Sequence, residues 1–195
     1  MEKSRKTDRR TRYTLQTIKD IFLEKLKVKP YSKITVTEIC KKAEMNRGTF
    51  YLHYYDIDDV LNEILDDFLS DTSSVLDHVL CPYKLSCTYP FCEKIRSSPH
   101  YQVLFFDDVT SARMLEKLCN LGKENFVTRL MKNSLLTFEQ AEAVFYFQMN
   151  GCLAINRMML KNQCTDWGKI QQTIDQFILA GLENFLIQDQ REEFL

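Results

Sequence analysis

The stretch "ITVTEICKKAEMNRGTFYLHYYDIDDVLNEIL", Ile34 to Leu65, decides how this chain is built. Thr35 is followed three residues later by Glu38, a capping box in which each side chain can satisfy the other's backbone N–H. The helix so begun runs to about Ala43. Asn46 is a strong N-cap and opens a second short helix, Arg47 to about Leu52. Asp56 and Asp59 then open a long helix through Val60, Leu61, Ile64, Leu65 and Phe68, and their charge suits its N-terminus. Two short helices joined by a three-residue turn form a helix-turn-helix, at about residues 35–54.

On the N-terminal side, Leu15, Ile18, Ile21, Phe22 and Leu26 recur at three- and four-residue spacing, which predicts one helix over Thr11–Lys27. Pro30 ends it by disfavouring helical backbone at Lys29. Residues 1–12 hold six basic side chains (Lys3, Arg5, Lys6, Arg9, Arg10 and Arg12) with no large apolar residue before Tyr13, a pattern expected of a flexible basic arm. On the C-terminal side the sequence loosens beyond about Asp77, where three of the four prolines fall. Helical spacing returns from Tyr101. Thr137 and Gln140 make a second capping box, predicting a helix to about Lys161 with the stripe Ala141, Val144, Phe145, Met149, Cys152, Ile155 and Met159. A last helix is expected over about Asp166–Gln188.

The 195 residues are 45% hydrophobic and 27% charged, with five Gly and four Pro. Few turn residues and pervasive helical spacing give an all-α fold. Its organisation reads as an N-terminal domain of residues 8–68 and a C-terminal helical domain of 69–195. "MEKSRKTDRR" lacks the apolar core of a secretory signal. In the apolar C-terminal half the longest run without a charge, Ala143–Asn156, is shorter than the ~20 apolar residues of a membrane span. A cytoplasmic protein is expected. The seven cysteines are then expected to be mostly reduced thiols. Cys81, Cys87 and Cys92 cluster near His100, but with five and four residues between them they fit no common zinc spacing; no metal and no cofactor is assigned.

A net charge of −1 hides an asymmetry. Residues 1–54 carry 14 Lys and Arg against 6 Asp and Glu, while the remainder carries 12 against 21. A basic head on an acidic body points to a module that binds a polyanion.

Over about residues 11–68 the chain resembles the DNA-binding domain of the TetR family of bacterial transcription regulators. The likeness is carried by Thr35, Ile39, Cys40, Ala43, Gly48, Thr49, Phe50, Tyr51, His53 and Tyr54, followed by "DIDDVL". Two positions depart from the family pattern. Glu44 stands in the turn where the family usually has Gly, and a non-Gly residue at positive φ costs about 1 kcal/mol. Ile57 stands where a Lys commonly approaches a phosphate, so that contact is not carried over.

A helix-turn-helix places its second helix in the major groove, whose base edges carry distinct donor and acceptor patterns. Arg47 fits the two acceptors of guanine, and Asn46 and Thr49 are shorter readers. Gly48 lets the backbone approach closely. Thr35, Thr37, Tyr51, His53 and Tyr54 are candidates for phosphate contacts that set register, with Arg9, Arg10 and Arg12 adding sequence-independent attraction or entering a minor groove. Tyr51 and Tyr54 are also read as possible packing aromatics, and Phe50 as core.

The resemblance implies a C-terminal domain whose last two helices pair with a second copy, giving a homodimer on a palindromic operator in double-stranded DNA. Phe105, Phe126, Phe145, Tyr146 and Met149 head the candidates for an apolar pocket, with Phe91, Tyr101, Phe106, Phe147, Met158 and Met159; ordinary core is the competing assignment. His53, His78 and His100 are scattered and no nucleophile or phosphate-loop motif occurs, so the chain is not read as an enzyme. The function expected is a repressor released by a small-molecule effector. Two alternatives stay open. One is an activator or adaptor controlled by a protein partner, as in family members linked to dihydroxyacetone kinase operons. The other is a thiol or metal sensor built on Cys81, Cys87 and Cys92.

Overall fold

Local capping chemistry sets most of the helix boundaries in the computed structural model, which describes residues 2–70 and 89–185. Every regular element among these residues is helical, so the fold is all-α. In order they are α1 (Glu2–Leu26), a 3-10 turn (Tyr31–Lys33), α2 (Val36–Lys42), α3 (Arg47–Tyr51), α4 (Ile57–Ser70), α5 (Tyr89–Ser97), a second 3-10 turn (Gln102–Phe105), α6 (Asp108–Lys132), α7 (Phe138–Lys161) and α8 (Trp167–Glu183). Asp166 caps α8 by accepting from the Lys169 amide, and the Thr137–Gln140 box starts α7 as the sequence predicts.

Two boundaries differ from expectation: α8 ends at Glu183 with Asn184 as its C-cap, short of Gln188, and the N-terminal helix starts earlier than Thr11. α1 begins at Glu2, so Arg9, Arg10 and Arg12 lie on a helix and not on a flexible arm. The segment lacks a hydrophobic stripe, but it has no Gly or Pro and is rich in Lys and Arg, which favour helix without packing.

The described residues group into two compact units. The first contains the chain up to Phe68 together with Val103–Ser111. Its core is Ile18, Phe22, Leu23, Ile39, Phe50, Leu61, Ile64, Leu65 and Phe68, all fully or almost fully buried. α2 packs on both α1 and α3. Lys19 is buried on α1 and binds Glu63 (3.1 Å) and Asp67 of α4. Burial works against the Lys19 charge, yet the hydrogen bonds to Asp67 and Glu63 outweigh it and raise its pKa. Val103–Ser111 joins this unit through the Phe105 ring, edge-on to Phe68 at 6.0 Å. A second tie is Asp107, which accepts from the Tyr31 amide at 2.9 Å.

The second unit is built on α5, the main length of α6, α7 and α8. Ile95, Met114, Leu118, Phe126, Val127, Leu130, Phe145, Met149, Met159 and Trp167 are buried in it. Polar side chains are buried there too, among them Gln148, Asn156, Gln171 and Asp175. Periodicity alone would not have placed them inside, because their residue types read as solvent-facing.

Candidate nucleic-acid interface

α2 begins with the predicted box. The Thr35 hydroxyl oxygen accepts from the Glu38 amide at 3.4 Å, and the Glu38 carboxylate accepts from the Thr35 amide at 3.2 Å. The same carboxylate accepts from the Thr35 hydroxyl (3.0 Å) and pairs with Lys29. These contacts, the Lys29 bond foremost, hold the Glu38 carboxyl below the usual carboxylate range. The Thr35 hydroxyl is therefore already committed to the cap.

The turn after α2 is a Schellman motif. The Met45 amide donates to Cys40 O (3.0 Å) and the Glu44 amide to Lys41 O (3.4 Å). Glu44 sits at φ 50°, the left-handed conformation that the family's usual Gly adopts freely. The side chain costs this turn some strain. Asn46 then caps α3, its Oδ1 accepting from the Thr49 amide (2.8 Å) and the Thr49 hydroxyl (3.1 Å). α3 is only five residues long, so its stability comes from this cap and from Phe50, which is fully buried.

The outer surface so formed gathers most of the candidates read from sequence. Thr35, Thr37, Asn46, Arg47, Gly48 and Tyr51 are exposed, while Thr49 and His53 are half-buried. The Arg47 guanidinium donates to the Thr37 hydroxyl, which joins the first residue of α3 to the first turn of α2. A Cβ on Gly48 would lie 3.2 Å from Asn46 Oδ1. Arg9, Arg10 and Arg12 are exposed on α1.

Tyr54 is a correction. It is 4% exposed and packs its ring 5.7 Å from Phe50, because it falls four residues after Phe50 on the inward face. Burial, and next the Glu63 carboxylate, push its phenol pKa up, so it stays neutral. Tyr54 belongs to the core below the surface. Leu52, the C-cap of α3, and Tyr55, in the turn before α4, were not singled out in the sequence and are 80% and 84% exposed.

This geometry is a capped helix-turn-helix. The chain is similar to a helix-turn-helix transcriptional regulator. That protein is the uncharacterized HTH-type transcriptional regulator YxbF of Bacillus subtilis (strain 168), 27% identical over 129 residues. The match covers 66% of this chain and only 30% of the length of that relative. Among solved structures, the TetR family repressor AlkX from Dietzia sp. strain DQ12-45-1b, implicated in biodegradation of n-alkanes, has 13% identity and a TM-score of 0.47. That alignment covers 88% of this chain and 98% of AlkX. No family model matches the chain.

The pocket candidates separate. Phe105 belongs to the first unit, where it fills core beside Phe68. Phe126 and Phe145 are buried in the second unit with rings 5.4 Å apart, and Met149 is buried as well. Tyr146 is exposed, beneath the Lys123 ammonium that also binds Glu142. Cys81 and Cys87 of the thiol cluster lie outside the described residues, as does His78. Among the described residues no group of His, Cys, Asp and Glu could hold a metal ion, and no helix is long and apolar enough to cross a membrane.

Proposed function

We propose that the chain is a sequence-specific DNA-binding transcriptional regulator, working as a dimeric repressor that a small molecule releases. The observation that carries this reading is the outward set Thr37, Arg47 and Gly48. A short capped helix, braced by α2, offers a guanidinium fork and a side-chain-free patch of backbone to a partner. Arg suits the paired acceptors of a guanine edge, and Gly48 keeps the closest approach open. Exposed Arg9, Arg10 and Arg12 supply attraction to phosphates. The helix-turn-helix regulator from Bacillus subtilis supports the same reading.

Dimerisation is proposed through α7 and α8. On α7, Phe147, Gly151, Ala154 and Met158 follow one another at spacings of four and three residues; Phe147 is 67% exposed and Met158 40%. On α8, Phe177 is 66% exposed, with Gly181 one turn on. A Cβ at either glycine would touch nothing within 4 Å. Such faces suit close helix pairing with a second copy. Two recognition helices about 34–36 Å apart then enter successive major grooves of a palindrome. The effector is proposed to bind the second unit, where Gln148, Asn156, Gln171 and Asp175 provide polar groups within an apolar interior. An effector that favours a different helix separation weakens DNA binding by typically 1–3 kcal/mol, and DNA weakens effector binding equally.

Gel shift of the purified protein against the DNA upstream of its own gene tests this directly. The expected result is one retarded band, at two chains per duplex, that survives competitor DNA. Retardation abolished equally by any competitor would refute sequence-specific regulation.

A further inference from the structure

Thr37 and Arg47 meet across the turn that joins α2 to α3. Thr37 lies in the first turn of α2 and Arg47 is the first residue of α3, and the Arg47 Nη2 donates to the Thr37 hydroxyl oxygen. The turn brings them to one surface through the Met45 amide on Cys40 O and the Asn46 cap of α3. Both side chains are exposed. A hydrogen bond between exposed groups replaces bonds to water and adds little to folding. Its consequence lies in what it does to the arginine.

A long side chain that turns freely loses that freedom on binding, and a contact that already restrains it in the free protein lowers the loss. Thr37 takes up one guanidinium N–H and leaves the rest of the planar fork to a partner. The hydroxyl is neutral, so it does not offset the positive charge. The other long polar side chain at this end of α3 is engaged. Asn46 Oδ1 accepts from both the Thr49 amide (2.8 Å) and the Thr49 hydroxyl (3.1 Å). Both its lone pairs are used, which leaves it no acceptor for a bidentate contact. What α3 discriminates therefore depends on where Arg47 is held.

Resting on the DNA-binding reading above, we propose that Thr37 is a positioning residue for Arg47, its hydroxyl oxygen holding the guanidinium at the seam of α2 and α3 in the orientation that meets DNA. Thr37 thus acts through Arg47 and not as a phosphate ligand in its own right, the role its place in α2 first suggests. The two roles differ in their dependence. A phosphate contact strengthens binding to any duplex whatever stands at position 47. A positioning contact matters only while the arginine is present and only on the duplex that the arginine prefers.

A double-mutant cycle provides the test. A duplex is first selected by the wild-type protein from a randomised pool, and a scrambled duplex of the same length serves as reference. Thr37→Val, which keeps the side-chain shape and removes the hydroxyl, is made in wild type and in Arg47→Ala, beside Thr37→Ser. Binding is followed by fluorescence anisotropy at low salt, where phosphate attraction keeps weakened complexes measurable. Thr37→Val is expected to weaken the selected duplex about fivefold, to leave the scrambled one unchanged and to melt within a few degrees of wild type. In Arg47→Ala the same substitution is expected to change neither, and Thr37→Ser is expected to bind like wild type. The proposal is overturned if Thr37→Val is silent in wild type, if it weakens both duplexes alike, or if its effect persists in Arg47→Ala. A Thr37→Ser variant as weak as Thr37→Val overturns it as well. A pool that yields no enriched duplex refutes the DNA-binding reading itself, a separate failure.

Discussion

One oxygen of Asp107 accepts a hydrogen bond from the Tyr31 amide at 2.9 Å, while the other caps α6 by accepting from the Val109 and Thr110 amides at 3.0 Å each. A single carboxylate thus starts a helix and fastens it to the turn that precedes α2. Asp107→Ala removes a cap worth about 1 kcal/mol and strands a half-buried amide. Urea denaturation is expected to show a loss of about 2 kcal/mol, with Asp107→Asn losing less because its carbonyl still accepts. Equal losses in the two variants would show that the Tyr31 tie and the cap do not depend on acceptor geometry.

Glu44 holds a left-handed conformation at φ 50°. Glycine relieves that strain but adds freedom to the unfolded chain, so Glu44→Gly is expected to stabilise the protein by about 0.5–1 kcal/mol. The check is a rise of a few degrees in melting temperature, with Glu44→Ala unchanged. A drop on introducing Gly would mean that the exposed carboxylate contributes more than the backbone strain costs.

Gly48 separates folding from recognition. Alanine favours helix by about 1 kcal/mol, and its Cβ would press on Asn46 Oδ1 at 3.2 Å. Gly48→Ala is therefore expected to melt within a few degrees of wild type yet bind the selected duplex about tenfold more weakly, because the methyl group occupies the place of closest approach. Unchanged affinity would remove Gly48 from the contact surface.

The Lys29–Glu38–Thr35 cluster makes α2 sensitive to acid. The folded Glu38 carboxyl lies below its unfolded value, so its contribution is complete above about pH 5 and is lost as pH falls through the folded pKa. Glu38→Gln keeps an acceptor for the Thr35 amide but loses the charge. Stability measured by denaturant across pH 2–6 is expected to fall less steeply on the acid side for the variant. Parallel curves would assign the acid sensitivity to other carboxylates.

Much of this architecture follows from local chemistry. Thr35 with Glu38, Thr137 with Gln140, and Asn46 and Asp166 as single caps each announce a helix start through a side chain that reaches a backbone amide three residues on. What escaped the sequence is long-range. Nothing near Phe105 or Asp107 signals that they join the first unit, because their partners Phe68 and Tyr31 are distant in the chain. Tyr54 was read beside exposed neighbours, although its four-residue offset from Phe50 places it inside. Gln148 and Asp175 are buried against the preference of their residue types. The basic N-terminal segment lacked a stripe and so resembled a tail, whereas intrinsic propensity suffices to extend α1. For the candidate interface, sequence supplied Arg47, Thr37 and Gly48, whereas the exposure of Leu52 became visible only when Phe50 and Tyr54 were seen to turn inward.

The central claim is that α3 reads base sequence through Arg47 while the rest of the basic head supplies unspecific attraction. It is tested most directly by measuring binding of wild type and Arg47→Ala to the selected duplex and to a scrambled one across a salt series. Wild type is expected to prefer the selected duplex strongly. Arg47→Ala should lose about 1–3 kcal/mol on that duplex only, keep a comparable salt slope and remain dimeric. A variant that retains full preference for the selected duplex, or a wild type that binds both alike, would contradict the account.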